Sequence, residues 1–212
     1  MLDVHPPHEA AHSWRDFLIH IATITIGLLI ALSLEGLVEA VHHRHMVAEA
    51  RENLRREIAE NRELLAKDKR GLEGNAAVMR RNVAVLDSLA KRMPGDDPGA
   101  MSFPWYWSAP SSAAWQTARE SGALTLMPYE ELQRFTVLYG QQGFVNQDAD
   151  TYIHDVTVAG NPLRLHAGVK ELTPAEIEEM RRGCANALGD IENLEALIKF
   201  LELDYNAMLK EL

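Results

Sequence analysis

The sequence predicts an all-α protein, in which a single N-terminal transmembrane helix continues into a long helix that forms an antiparallel coiled coil or helical bundle with the C-terminal helix. Three observations predict this fold: an apolar stretch near the N-terminus, a long helical pattern after it, and a matching pattern at the C-terminus. The 212 residues, 47% hydrophobic and 25% charged, are typical of one folded domain with an anchor.

The apolar stretch lies between Asp16 and Glu35 and has 18 residues without Lys, Arg, Asp or Glu. As a helix it covers about 27 Å, close to the ~30 Å hydrocarbon core of a bilayer. We therefore predict a transmembrane helix over residues 17–38, after a tail over residues 1–16. A signal peptide is disfavoured, because "EGLVEAVHHRH" follows instead of a small-residue cleavage site. A buried core helix is the other alternative for so short a run.

One face of the predicted span carries small residues, since Thr23, Gly27 and Ala31 recur every four positions. Small side chains allow another helix to approach closely. Glu35 continues this face, and a carboxylate at the membrane edge is costly unless it reaches the headgroups or a partner. We predict that this face contacts a transmembrane helix of another subunit or of a second copy. A plain interfacial position of Glu35 is the alternative.

A long helix is predicted over residues 39–93, which are rich in Ala, Glu, Arg and Leu. Its apolar residues alternate at intervals of four and three, as in a coiled-coil seam. They are Leu72, Ala76, Met79, Val83, Leu86, Ala90 and Met93, with Ile58 and Leu65 extending the seam backward by sevens. Gly71 and Gly74 leave open whether the helix breaks there. "MPGDDPG" at 93–99 predicts its end.

The C-terminal helix is predicted over residues 173–212. Its start is a capping box, with Thr173 as N-cap, Pro174 at the first helical position and Glu176 reaching back. The seam then comprises Ile177, Met180, Cys184, Ala187, Ile191, Leu194, Ile198, Leu201, Tyr205, Met208 and Leu212. The seam of the long helix is nearly as long, so the two helices are expected to lie antiparallel.

Residues 94–172 form an aromatic-rich segment of short helices and loops, with three of the four tryptophans. Three helices are predicted in it: one from Ser111 or Ser112 as N-cap to a stop at Gly122, one from about Pro128, and one around residues 144–158.

Two stretches resemble a family of single-pass bacterial membrane proteins of uncharacterised function. The first is "GLLIAL" at 27–32 in the span, and a long post-span helix follows it as in the family. The second is a central aromatic and Ser-Gly motif, "WQTARESGALTLMPYEELQRFTVLYG", with the matching residues Trp115, Ser121, Gly122, Leu124, Leu132 and Tyr139. The resemblance implies an anchored helical domain and brings no known activity. Trp115 and Tyr139 are expected to be core aromatics, with ligand stacking as the alternative.

Charge and cysteine content exclude several classes of protein. The formal net charge of −10 leaves no basic stripe for nucleic acid. The single cysteine, Cys184, excludes an intramolecular disulfide, and its seam position favours a core role over a nucleophile. No nucleophile elbow, phosphate loop or EF-hand pattern is present in the sequence, so we predict neither catalysis nor a cofactor.

Seven of the nine histidines fall in the first 45 residues. "HPPHEAAH" places His5, His8 and His12 close together, and imidazole binds transition metals, so these three are the candidate metal ligands. The second cluster, "HHRH" at 42–45, lies beyond the span and lacks the four-residue spacing that chelates on a helix. We favour the interpretation that both clusters lie in the lipid headgroup zone, and we expect no bound metal.

The function predicted from these features is a non-enzymatic accessory or scaffolding subunit of a larger membrane assembly, with the lipid bilayer and another transmembrane helix as its partners. One alternative is a single-pass sensor, whose bundle binds a ligand near Trp115, Tyr129 or Tyr139. The other is a metal-handling protein that uses the histidines.

The side of the membrane is predicted from the basic residues near the span. Only Arg15 precedes it, and the arginines that follow are Arg44, Arg51, Arg55 and Arg56. This excess favours a cytoplasmic bundle. The resemblance to single-pass bacterial proteins implies that the membrane is the bacterial inner membrane. A periplasmic bundle is the alternative, because long domains translocate largely regardless of charge.

Overall fold

The structure is a computed structural model that describes residues 14–91 and 99–211. It contains the helices α1 (Trp14–Lys91), α2 (Ala113–Glu120), α3 (Tyr129–Ala159) and α4 (Pro174–Glu211), and 3-10 turns at Ala123–Leu126, Pro162–Leu165 and Val169–Glu171. No β-strand occurs in the described ranges, which confirms the all-α prediction. The predictions for His5, His8, His12, Met93, Leu212 and most of the "MPGDDPG" stop lie outside the described residues.

The chain divides into two compact units, residues 1–48 and 49–212. The apolar part of α1 falls in the first unit, and its most apolar 18-residue window has a mean hydropathy of 2.3 with none of its residues buried. Every side chain from Trp14 to His42 is exposed. The helix is long and apolar enough to cross a membrane. Its exposure is not that of a buried core helix, which was the alternative.

Within the second unit, α1 buries an apolar row with a spacing of seven residues, as predicted. The row comprises Ile58, Leu65, Leu72, Met79 and Leu86, each 0% exposed. Ala76 is buried as well, but Val83 is only half-buried and Ala90 is exposed, so the predicted seam is wrong at these two positions. At Val83 the reason is that the preceding residue, Asn82, takes the inward position and bonds Ser102, as described below.

Helix α1 continues through Gly71 and Gly74 without a break. Gly71 has a packing role, because a Cβ at this position would lie 2.3 Å from Cδ1 of Tyr106. Gly160, just after α3, has the same relation to Phe103, since a Cβ added there would lie 2.9 Å from Cγ of the ring. Both glycines thus provide notches for aromatic rings of residues 99–112.

Helix α3 is one helix of 31 residues, where the sequence suggested two. Eight of its nine buried positions keep a heptad spacing from end to end, and the ninth is Tyr139. The eight are Phe135, Leu138, Gln142, Val145, Ala149, Tyr152, Val156 and Ala159. Gly140 and Gly143 are exposed on the helix. The predicted interruption before residue 144 is wrong, because a continuous packed face outweighs the ~1 kcal/mol cost of each glycine.

Helix α3 packs in parallel beside α1 and in closest contact with α4. Arg51 of α1 forms a bidentate ion pair with Glu131 near the start of α3, at 2.7 and 2.6 Å. Further along both helices, Nδ2 of Asn75 donates to the Tyr152 hydroxyl at 2.7 Å. Helix α4 contacts α1 as well, since Nη1 of Arg62 donates to Oδ1 of an asparagine of α4, Asn206, at 3.3 Å.

Helix α4 begins with the predicted capping box. The backbone N–H of Thr173 donates to Oε2 of Glu176 at 2.8 Å, and the N–H of Glu176 donates to Oγ1 of Thr173 at 3.3 Å. Every predicted seam residue from Ile177 to Met208 is buried. Cys184 is a fully buried core residue, as expected.

Candidate functional site: the polar network between α1 and residues 99–112

Residues 99–112, which we call the strap, connect to α2 and have no regular secondary structure. Its serines bond to α1 in reverse order, with Ser102 at Asn82 and Ser111 at Asn61. Between these two asparagines α1 rises about 31 Å, which the strap covers in nine residues, or about 3.5 Å per residue. The strap is therefore almost fully extended and runs antiparallel to α1.

The strap is held by a polar row on α1, which comprises Asn61, Asp68, Asn75 and Asn82 at intervals of seven residues, all buried. Asn61 and Asn82 make the same pair of bonds. Nδ2 of each donates to a serine carbonyl at 2.7 Å, and Oδ1 of each accepts from the N–H of that serine, at 2.8 Å for Asn61 and 3.3 Å for Asn82. These side-chain amides satisfy the backbone groups that an extended segment would otherwise leave unpaired.

The two central members of the polar row have different partners. Nδ2 of Asn75 donates to the Tyr152 hydroxyl of α3. Asp68 accepts the N–H of Ser108 on Oδ1 at 3.0 Å, whereas its Oδ2 is buried without a hydrogen-bond partner among the described residues. Burial raises the pKa of Asp68 to about 6.

Glu57 of α1 is the centre of the network at the end of the strap. Its Oε2 accepts from Oγ of Ser111 and from the N–H of Ala114, both at 2.8 Å. Its Oε1 accepts from the Tyr139 hydroxyl at 2.8 Å and from the N–H of Trp115 at 3.4 Å. One carboxylate thus joins α1, the strap, α2 and α3.

Glu57 also caps helix α2 from outside that helix. Ala114 and Trp115 lie in its first turn, whose N–H groups have no partner within the helix. Oγ of Ser111 accepts the N–H of Ala113 at 3.2 Å, while Ser112 makes no side-chain cap bond. The predicted Ser111 or Ser112 cap is therefore only partly correct. Ser111 bonds the first N–H of α2, and Glu57 bonds the next two. The helix dipole also favours a carboxylate at this position.

Gln142 extends the network to α4. Its Nε2 donates to the carbonyls of Pro110 and Ser111 at 3.1 and 2.9 Å, and its Oε1 accepts the Tyr205 hydroxyl at 2.6 Å. Burial, with the adjacent carboxylate of Glu57, raises the pKa of the Tyr139 and Tyr205 hydroxyls. Both tyrosines therefore stay protonated donors at physiological pH.

The predicted aromatic motif lies against this network. The rings of Trp115 and Tyr139 stack, with centroids 5.1 Å apart and planes at 14°. Gly122 has a φ of 78°, the left-handed conformation that favours glycine, and Leu124 is buried. Ser121 is exposed, and its hydroxyl donates to the carbonyl of Ala118 at 3.2 Å.

Among the positions that the sensor interpretation named, Trp115 and Tyr139 come together, but Tyr129 is 75% exposed and lies outside this cluster. The polar groups near the stacked rings bond to one another. Chemically, the Glu57 carboxylate can hold α1, the strap, α2 and α3 together as one charged hydrogen-bond acceptor. The polar groups of this site bond to one another and are not left free for a ligand.

The predicted helix-contact face lies in the first unit. Oγ1 of Thr23 donates to the carbonyl of Ile19 at 2.9 Å, which satisfies this hydroxyl within its own helix. A Cβ at Gly27 would have no atom within 4 Å. Ala31 and Glu35 are exposed. Among the described residues the face thus contacts only its own helix, and its predicted partner stays a prediction.

The histidines of "HHRH" that were considered as metal ligands form only local contacts. The rings of His42 and His43 are 6.3 Å apart, and Nε2 of His43 lies 3.7 Å from Oε1 of Glu39. No group of three or more His, Cys, Asp or Glu residues in the described part of the chain is arranged to hold a metal ion.

The comparisons with known proteins give no further assignment. No protein-family model, no curated protein and no solved structure matches this chain. The resemblance to single-pass bacterial membrane proteins accordingly stays a prediction from the residues.

Proposed function

We propose that this chain is a membrane-anchored, non-enzymatic accessory or scaffolding subunit of a larger membrane assembly. The observation that carries the proposal is that α1 supplies both an exposed apolar stretch and a core element of the second unit as one helix. An apolar stretch of this length with every side chain exposed is stable in a bilayer rather than in water.

The second unit supports a scaffolding role, because its most elaborate polar site serves packing. Glu57 receives four hydrogen bonds from the protein itself, which matches the requirement that a buried charge be fully bonded. In this proposal the network keeps the bundle in a single conformation, which a surface that binds another subunit requires.

The proposal includes an antiparallel coiled coil between α1 and α4. Two pairings support this arrangement. Arg62 bonds Asn206. The pKa of Arg181, which is earlier in α4, is raised mainly by its hydrogen bond to Glu178 and also by the charge of Asp87, which is later in α1. With the apolar rows of both helices buried, this reversed order is what an antiparallel seam produces.

In the proposed topology the anchor lies in a bacterial inner membrane and crosses it once. The basic residues after the span favour a cytoplasmic bundle. A fluorescent reporter that folds only in the cytoplasm, fused after Leu212, is expected to be bright, and a reporter active only after export is expected to be silent. The reverse pattern would place the bundle in the periplasm and leave the anchor in place.

The proposed contact with the assembly is the face formed by Thr23, Gly27, Ala31 and Glu35, directed at a transmembrane helix of another subunit or of a second copy. Lipid gives no hydrophobic drive for helix association, so close backbone approach and a paired polar group must supply it. Gly27 and Ala31 allow the approach, and Glu35 is the group to be paired.

The test compares two leucine substitutions. Gly27→Leu is expected to separate the helices, so that the partner or the oligomer is lost on purification in mild detergent. Gly36→Leu is the matched control, because nine residues place Gly36 about 180° away around the helix. A Cβ added at either glycine would meet no atom of the described residues within 4 Å, so both positions have room for a side chain.

If Gly27→Leu co-purifies with its partner as the wild type does, the contact face is wrong, and the second unit must carry the interaction. If the wild type purifies with no partner and as a monomer, the accessory-subunit function itself is refuted. The two proposals therefore fail separately.

A further inference from the structure

The polar row that holds the strap contains three neutral amides and one ionisable group. Asn61, Asn75 and Asn82 are uncharged at every physiological pH, so Asp68 alone can change the charge of the row. Asp68 is 0% exposed and lies opposite the middle of the strap, at Ser108. Its position makes it the one member of the polar row at which a proton can alter how the strap binds; the other carboxylate that bonds the strap, Glu57, lies at its end, at Ser111.

The surroundings of Asp68 favour its neutral form. Oδ1 accepts one backbone N–H, but the buried Oδ2 has no donor among the described residues. A carboxylate that loses water without a replacement donor is destabilised, whereas the protonated acid loses far less. Charge at this position therefore weakens the contact between α1 and the strap.

No charged group near Asp68 offsets this effect. The strap itself carries no charged residue. The bonds of Asn61 to Gln142, Asn75 to Tyr152 and Arg62 to Asn206 set the register of the helices. By this register the charged residues at the level of Asp68 are Lys67 and Lys69 on α1, Asp148 and Asp150 on α3, and Glu195, Lys199 and Glu202 on α4. None of them is among the causes of the shifted pKa of Asp68, which burial raises and the hydrogen bond from the N–H of Ser108 lowers.

We propose that Asp68 is a proton-dependent latch for the strap: the strap binds α1 more tightly when the Asp68 carboxyl group is protonated, and deprotonation favours its release. Tyr106 and Phe103 add to the binding of the strap whether Asp68 is protonated or not, since their rings pack against Gly71 and Gly160 and carry no charge.

The direction of the pH dependence follows from proton linkage. Asp68 has an ordinary pKa of 3.8 when solvated and a pKa of about 6 when the strap covers it. The docked form binds the proton more tightly, so docking is strongest below pH 3.8 and weakens as the pH rises through about 6. Between these two pKa values the equilibrium constant for release of the strap increases by up to about tenfold per pH unit, and above pH 6 it becomes constant.

Hydrogen–deuterium exchange of the full chain in detergent micelles tests this proposal. Peptides covering residues 99–112 are followed from pH 4.5 to 7.5, and rates are corrected with the same peptides from unfolded protein. In the wild type, protection of the strap is expected to fall by about tenfold or more up to pH 6.5 and then to level off. Protection independent of pH would overturn the proposal.

Two variants make the test specific. Asp68→Asn keeps the shape and matches the rest of the polar row, so the strap is expected to be protected equally at all pH values. Asp150→Asn removes an exposed carboxylate of α3 and is expected to keep the wild-type pH dependence. If Asp68→Asn keeps that dependence, or Asp150→Asn abolishes it, the latch is refuted.

A direct measurement on the wild type does not depend on any variant. The 13C resonance of the Asp68 carboxyl group should titrate with a midpoint near 6, as its burial requires. A midpoint below about 4.5, typical of a solvated aspartate, would show that the strap does not cover a neutral acid.

Discussion

The hydrogen bond from Tyr139 to Glu57 gives the sharpest test of the polar network. The Tyr139 hydroxyl is buried and donates to Oε1 of Glu57 at 2.8 Å. Tyr139→Phe removes this donor and keeps the ring that stacks on Trp115. A hydrogen bond to a charged group contributes about 1.5–3 kcal/mol, so we expect the free energy of unfolding to fall by about 2 kcal/mol. With a typical urea dependence for a domain of this size, the midpoint should fall by about 1 M.

The assay is urea unfolding of the full chain in detergent, followed by circular dichroism. Tyr129→Phe is the control, because Tyr129 is 75% exposed and is expected to change stability by less than about 0.5 kcal/mol. In a Glu57→Gln background, Tyr139→Phe should cost clearly less than in the wild type, since the charged acceptor is gone. Equal effects of the two Phe substitutions would refute the role given to the network.

Two further predictions concern α4. Thr173→Ala should lower the free energy of unfolding by about 1 kcal/mol near pH 7. Bonds from His166 and Thr173 lower the pKa of Glu176 from 4.5 to about 2, so the part of the capping box that uses the Glu176 carboxylate is present above pH 4.5 and is lost as the pH falls toward 2. The difference between the urea midpoints of wild type and variant should therefore shrink in acid to what the bond from the N–H of Glu176 to the Thr173 hydroxyl contributes. Burial raises the pKa of Cys184 from 9.0 to about 11, which lowers its thiolate fraction about 100-fold. A thiol reagent should accordingly label Cys184 only at the rate of unfolding, and rapid labelling of folded protein would contradict its core position.

Periodicity alone identified the elements whose cores are apolar. The α4 seam and the row from Ile58 to Leu86 were both predicted correctly, because apolar side chains at heptad spacing have one plausible use in a helix. Helix α3 was divided wrongly, because Gly140 and Gly143 lower helix propensity locally while its packed face lies against residues distant in the chain. Helix propensity can be estimated from neighbouring residues, whereas packing depends on residues that are distant in the sequence.

The polar network escaped prediction for a related reason. Asn61, Asp68, Asn75 and Asn82 recur every seven residues, which was a readable signal, but polar residues on a helix normally indicate a solvated face. Their partners are backbone groups of the strap, 20 residues away for Asn82 and 50 for Asn61. Glu57 is likewise paired with Tyr139 at a separation of 82 residues. A search for seven-residue repeats of Asn and Asp beside an apolar row would have found them.

The close contact of α3 and α4 predicts that an alanine substitution destabilises the chain at one glycine of α4, Gly183, and stabilises it at another, Gly189. A Cβ at Gly183 would lie 2.6 Å from Cβ of Ala159 and 2.9 Å from its Cα. The Cα belongs to the backbone of α3 and cannot rotate away, so Gly183→Ala must push the helices apart. Overpacking of this kind costs about 1–3 kcal/mol.

Gly189, six residues later in α4, is exposed, and a Cβ there would meet no atom within 4 Å. Gly189→Ala should therefore stabilise the chain by about 0.5–1 kcal/mol, since alanine restricts the unfolded chain and favours the helix. Thermal unfolding of the two variants beside the wild type measures both effects under one condition. A stabilising Gly183→Ala would mean that α3 and α4 are further apart at this level than the structure shows, whereas a destabilising Gly189→Ala would mean that this exposed surface of α4 is covered by a partner.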